Sequence, residues 1–242
     1  MRTVDERWVR GLGSRRETAR RRVFVFHHAG GSASSFQLGR HFPADIEVCA
    51  VQLPGRESRF TEAPLTAMDR VVDELTAAIR PDLPFAFFGH SMGALIAYEV
   101  ARRLGSDGPE HLFASAHRAP HLVDPTVLHG LDDDALADRL ATTNPALADP
   151  DLREIFLPIL RADLTLCETY THVPGEPLPC PVTVFGGRED DIVTEAELRA
   201  WRRHTSSGFA LRMFPGGHFY LRGTENVVVE HVRRALTVWR GC

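Results

Sequence analysis

Apolar runs of five to seven residues punctuate the chain at 23–27 (VFVFH), 46–52 (IEVCAVQ), 85–89 (FAFFG), 111–116 (HLFASA), 181–186 (PVTVFG) and 209–214 (FALRMF). They are rich in β-branched and aromatic residues, and most are near-continuously apolar, the pattern of strands covered on both faces. Helical periodicity fills the gaps. Residues 67–80 align Val71, Val72, Leu75, Ala78 and Ile79 on one face, 92–104 align Leu95, Ile96, Val100 and Leu104, and 225–239 align Val228, Val232, Leu236 and Trp239. Alternating strands and helices predict a mostly parallel, helix-flanked sheet of the α/β class.

One interval breaks the rhythm. Sixty-four residues separate positions 116 and 181, whereas a parallel crossover needs only ~10–12 with its helix. Within it, 132–141 and 151–170 carry helical periodicity, with Pro158 expected to kink the second. Residues of about 121–175 are therefore expected to form a helical lid on an otherwise single domain spanning 1–242.

Composition narrows the class. At 242 residues, 43% hydrophobic and 25% charged, the chain suits one soluble domain. All 28 basic residues are arginine, and the net charge of −4 argues against a nucleic-acid binder. Residues 1–22 form an Arg-rich extension, with eight arginines against Asp5, Glu6 and Glu17. A secretory peptide would need ~7–15 apolar residues before a cleavage site, but here Val23–Phe26 runs straight into HHAGG. No stretch approaches the ~18–20 apolar residues of a membrane span. Cys49, Cys167, Cys180 and Cys242 are scattered without a C-x-x-C pair, so thiols in a reducing cytoplasm are expected rather than disulfides or zinc. With no lysine for a phosphate loop and no H-E-x-x-H, neither a cofactor nor a metal is expected.

The chemistry gathers around Gly89-His90-Ser91-Met92-Gly93. This G-x-S-x-G follows an apolar strand and opens a helix, the context of a nucleophile elbow. A serine needs a base, and His218, in Phe214-Pro215-Gly216-Gly217-His218, lies between the last strand and the terminal helix, where this arrangement presents one. The acid that orients it should follow the penultimate strand, in Gly187-Arg188-Glu189-Asp190-Asp191. Glu189, Asp190 and Asp191 all compete there, with Asp124 a distant fourth. Two backbone N–H groups should form an oxyanion hole: Met92, after the nucleophile, and Ala29, in the small-residue loop His28-Ala29-Gly30-Gly31.

Together FHHAGGSASSF (26–36), QLPGRE (52–57), FFGHSMGALIAYEVARRL (87–104), HRAP (117–120), LPILRAD (157–163), FGGREDD (185–191) and FPGGHFYL (214–221) resemble the type II thioesterases. These are stand-alone editing enzymes of polyketide and nonribosomal peptide assembly, on the α/β-hydrolase fold. The resemblance runs from about 22 to 240. It implies hydrolysis of acyl groups from the phosphopantetheine arm of acyl or peptidyl carrier proteins. It also implies Ser91 as nucleophile, His218 as base, Asp190 as acid, and Met92 and Ala29 as oxyanion donors. His27 stands where the family often has proline, and Ala116-His117 where Gly-Arg is common.

The competing readings are a carrier-independent esterase, a product-releasing thioesterase or acyltransferase, and a non-catalytic binding module. A monomer is expected. Since typical carriers are acidic and this chain is itself net negative, local arginines would have to attract them. Arg56, Arg59, Arg118 and Arg161 are the candidates, with a structural ion-pair role at least as well supported for the last two.

Overall fold

The computed structural model describes residues 5–12, 18–35, 38–79, 81–123 and 125–238. Seven strands, β1 (Val9–Gly11), β2 (Arg21–Phe26), β3 (Ile46–Val51), β4 (Phe85–His90), β5 (His111–Ser115), β6 (Val182–Gly187) and β7 (Phe209–Phe214), form one sheet in the order β1-β3-β2-β4-β5-β6-β7. All neighbours are parallel except β1, which runs antiparallel to β3 with Val9 opposite Val51. This is the mostly parallel, helix-flanked sheet that the strand pattern predicts, and it agrees with the α/β-hydrolase fold that the resemblance implies.

The near-continuous apolar strands are explained by two buried faces. Phe24, Phe26 and Phe87 pack with α1 (Met68–Ala78) and α2 (Met92–Leu104) on one side. On the other, Val23, Val25, Phe88, Phe113 and Phe185 meet Val228, Val232 and Leu236 of the last helix, Glu225–Val238. Because side chains alternate along a strand, Gly89 and His90 at the end of β4 also fall on opposite faces. β7 is the exception, an edge strand with Arg212 exposed.

The interval between β5 and β6 is helical, as expected. It holds α3 (Asp133–Leu140) and α4 (Pro150–Glu168). Asp132 caps α3 by accepting the Ala135 N–H at 2.9 Å, and Asp149 caps α4 through the Asp151 and Leu152 N–H groups. Pro158 is accommodated inside α4, which does not end there. Leu136, Leu147, Leu157 and Leu160 form a small core within this cap. A further helix, α5 (Glu195–Arg199), was missed by periodicity because it is one turn long, yet Thr194 and Glu197 announce it as a capping box. The last helix is α6.

The Arg-rich N-terminal segment also acquires a structural role. Trp8 is buried, the Arg59 guanidinium lies 4.0 Å above its ring, and the Gln52 N–H donates to its carbonyl at 2.8 Å. The helices of the described residues include none long and apolar enough to cross a membrane. Trp8→Ala should lower the unfolding free energy by about 3 kcal/mol, seen as a lower urea midpoint at an unchanged slope. An unchanged midpoint would place this segment outside the cooperative core.

Candidate active site

The C-terminal ends of β2, β4, β6 and β7 converge on one patch. At the end of β4 the chain turns sharply into α2, and Ser91 at the apex has φ 54° and ψ −124°. A non-glycine residue in that region is strained and persists only where its surroundings over-determine it. Here they do. The Ser91 N–H donates to the Ser115 carbonyl at 2.8 Å and the Ser91 carbonyl accepts the Ala94 N–H at 2.8 Å. The two motif glycines are sterically required: a Cβ at Gly89 would strike the Gly93 carbonyl, and one at Gly93 would strike the Phe26 carbonyl. The turn thus lifts Ser91 Oγ off the sheet edge.

His218 Nε2 lies 3.0 Å from Ser91 Oγ, and His218 Nδ1 lies 3.0 Å from Asp190 Oδ2. A carboxylate only accepts, so Nδ1 donates to Asp190 and Nε2 is left to accept the serine proton. The Asp190 side chain is fully buried. Burial alone would raise its pKa, but the hydrogen bond and charge of His218, with the Ile192 and Val193 N–H groups at 2.9 and 3.1 Å, hold it below the ordinary carboxylate value.

The three acids that spacing left open are thereby separated. Glu189 accepts the Gly216 N–H and braces the β6 and β7 loops together; Asp191 is exposed; Asp190 alone of them reaches the histidine. Asp124 lies outside the described residues.

Burial shifts two histidines near His218 toward the neutral form. His90, buried beneath Ser91 with its ring 5.5 Å from that of His218, is pushed well below its ordinary pKa by burial and then by His218. Its Nδ1 pairs with Ser115 Oγ at 2.8 Å, which in turn meets Tyr220 Oη at 2.7 Å. Burial lowers His28 to about 4. Among the described residues, no group of three or more His, Cys, Asp or Glu is placed to hold a metal ion.

Met92 begins α2, where the first N–H groups have no intrahelical partner. Ala29 sits in the turn after β2, closed by the Gly31 N–H to the His28 carbonyl at 2.9 Å. Met92 thus follows Ser91 directly, and Ala29 follows β2, the strand beside β4. Ala116, at the position where Gly is common in the resembled family, is buried with φ 50°.

For Arg56 and Arg59 the rim reading is corrected, whereas for Arg118 and Arg161 the structural ion-pair reading holds. Arg56 and Arg59 are only 5% and 7% exposed. Arg56 makes a bidentate pair with Asp163, and Arg59 pairs with Glu62 and donates to the Gln52 carbonyl. Arg118 donates to the Ile192 carbonyl and Arg161 pairs with Asp133 inside the cap. A loop position next to a site does not make a side chain outward-facing when buried acceptors lie behind it.

The Thioesterase domain family model matches residues 21–236. The chain is 41% identical over 229 residues to the gramicidin S biosynthesis protein GrsT of Aneurinibacillus migulanus, covering 90% of each. Among solved structures it is similar to the type II thioesterase BorB from the borrelidin biosynthetic cluster (TM-score 0.86, 36% identity, 94% of this chain and 96% of that one). It is also similar to the RedJ thioesterase of the prodiginine pathway in Streptomyces coelicolor (TM-score 0.83, 36% identity, 92% and 95%).

Ser91→Ala and His218→Ala should each abolish hydrolysis to a similar residual level, because the two act as a unit. Asp190→Asn should fall toward the ~10⁴-fold loss of the chymotrypsin-type triad, with Asp191→Asn nearly unaffected in kcat; the reverse ranking would move the acid by one residue. Since the folded Asp190 titrates below its ordinary value, its stabilising contribution is complete above the unfolded carboxylate pKa. It is lost as pH falls through the lower folded value. The acid limb of a pH–stability curve should flatten in Asp190→Asn.

Proposed function

The chain belongs to the thioesterase domain family and is a thioesterase; from that premise we propose that it hydrolyses acyl groups from the phosphopantetheine arm of acyl or peptidyl carrier proteins. In this reading it clears stalled or mis-primed polyketide or nonribosomal peptide assembly lines. The observation that carries the chemistry is the line Ser91 Oγ–His218 Nε2–His218 Nδ1–Asp190 Oδ2, with both contacts 3.0 Å. The similarity to GrsT, BorB and RedJ, each tied by its description to a biosynthetic pathway, supports the carrier-borne substrate.

Ser91 Oγ attacks the acyl carbonyl carbon as His218 Nε2 takes its proton. The carbonyl oxygen becomes an oxyanion between the Ala29 and Met92 N–H groups, donors fixed before the reaction starts. Asp190 stabilises the imidazolium that forms. Neutral His28 and His90 add no like charge beside it. His218 returns the proton to the departing sulfur as the C–S bond breaks, leaving acyl-Ser91 and a free thiol. Water then attacks the ester with His218 again the base, releasing the acid and restoring Ser91.

The helical cap between β5 and β6 covers the site and gates it in this reading. Cys49, Cys167 and Cys180 form no disulfide with one another, which suits a reducing cytoplasm.

Remote contacts that act equally on ground and transition states lower KM without changing kcat. The same acyl group should therefore be cleaved with higher kcat/KM from a carrier protein than from N-acetylcysteamine, with the gain in KM. Equal values for the two substrates would favour a carrier-independent esterase. Transfer of the acyl group to an added nucleophile in preference to water would favour an acyltransferase.

A further inference from the structure

The oxyanion loop is held by the cap. Gly30, next to Ala29, has φ 72°, and a Cβ there would lie 2.5 Å from Leu160 Cδ2 of α4. Its N–H donates to Asp163 Oδ2, on the same helix, at 2.7 Å. That oxygen also accepts Arg56 Nη1 at 2.7 Å, while Arg56 Nη2 reaches Asp163 Oδ1 at 2.9 Å. Arg56 Nη1 donates in addition to the Gly31 carbonyl at 3.2 Å, and Arg56 Nε to the Pro54 carbonyl. Gln52 completes the frame: its amide oxygen accepts the Ala33 N–H at 3.1 Å, and its NH₂ donates to the Arg56 carbonyl at 3.0 Å. The loop is thus gripped at Gly30, Gly31 and Ala33, by a carboxylate, a guanidinium and an amide that are all nearly inaccessible to water.

Burying such a pair is expensive and often adds no stability over well-packed apolar residues. Its geometry is what sets it apart. It fixes the peptide immediately after the oxyanion donor, and it does so from the cap helix, 133 residues away in sequence.

We propose that Asp163 is a positioning residue of the oxyanion hole, so that the Ala29 N–H is aimed at the reacting carbonyl only while the second half of α4 is seated on the loop. The segment of α4 from Leu160 onward then belongs to the catalytic frame. Any opening of the cap that keeps the hole intact takes place on the N-terminal side of it. This inference rests on the reading of Ser91 as nucleophile and Ala29 as oxyanion donor.

Stability and catalysis can be separated by two variants, assayed on an acyl N-acetylcysteamine thioester with reactive sites counted by fluorophosphonate titration. Arg56→Met/Asp163→Leu replaces the pair by apolar side chains and removes the acceptor for Gly30. It is expected to unfold above Asp163→Asn, because no charge is left buried alone, and somewhat below wild type, because the Gly30 N–H and the Gly31 and Pro54 carbonyls lose their partners. It should nevertheless lose about 10- to 100-fold in kcat per titrated site at unchanged KM, somewhat less than deletion of an oxyanion donor. Its affinity for a trifluoromethyl ketone analogue should fall in parallel. Asp163→Asn keeps an oxygen for Gly30 but leaves Arg56 unpaired. It should melt lower, while its kcat per site stays far above that of the double variant. Wild-type kcat per site in the double variant, or per-site losses in the two that follow their melting temperatures, would overturn the proposal. If the double variant does not fold, Asp163→Asn decides alone: a 10-fold or greater per-site loss overturns it, and a retained rate with a lowered melting temperature supports it. Ser91→Ala is run alongside; full activity there would refute the catalytic reading itself, and the carrier-free substrate keeps the outcome independent of carrier recognition.

Discussion

The close approach of α2 to the end of β2 is the constraint on which the site depends. Gly93 sits so near the Phe26 carbonyl, and Gly89 so near the Gly93 carbonyl, that neither position has room for a Cβ. That contact forces the β4–α2 connection to complete its reversal within one residue, and the residue is Ser91, with φ 54°. The cost of such a conformation, roughly 1–3 kcal/mol, is borne by the packed sheet and helix on either side. The result is a hydroxyl that projects from the sheet edge and, one residue on, a helix N-terminus whose N–H groups are open to a developing charge.

Charge around this elbow is rationed. Asp190 is a buried carboxylate directed at His218 and satisfied by two backbone N–H groups besides. His28 and His90, both pressed against the catalytic ring or its neighbours, are kept neutral by burial. Asp190 thus meets His218 at Nδ1, on the side of the ring away from Ser91. The buried ion pair of Arg56 with Asp163 holds backbone groups instead, at Gly30 and Gly31.

QLPGRE and LRAD take their meaning from that second pair. Gln52 and Arg56 come from the loop after β3, Asp163 from the cap, and all three converge on the loop after β2. A motif placed far from the serine in sequence thus holds the loop after β2 through backbone hydrogen bonds. Read as loop arginines, Arg56 and Arg59 suggested a docking rim; their burial shows that they hold the frame.

Much of this molecule was written locally. Apolar runs and helical periodicity specify strands and helices because burial on one or two faces imposes its period directly on neighbouring residues. Gly89, Ser91, Gly93 and the loop position of His218 were legible because a strained turn between a strand and a helix demands a particular short pattern. Which of Glu189, Asp190 and Asp191 orients the histidine was not legible from spacing. A one-residue step along that loop changes a side chain from a brace on Gly216 to a partner of His218 to an exposed acid, and only the closing of the β7 loop against the β6 loop selects among them. The same holds for Trp8 and β1, whose three residues carry too little pattern to read, and for the seat of Asp163 under Gly30. Sequence determined the elements and the residue types; tertiary structure decided the pairings, because a hydrogen bond between residues 133 positions apart leaves no period in the chain.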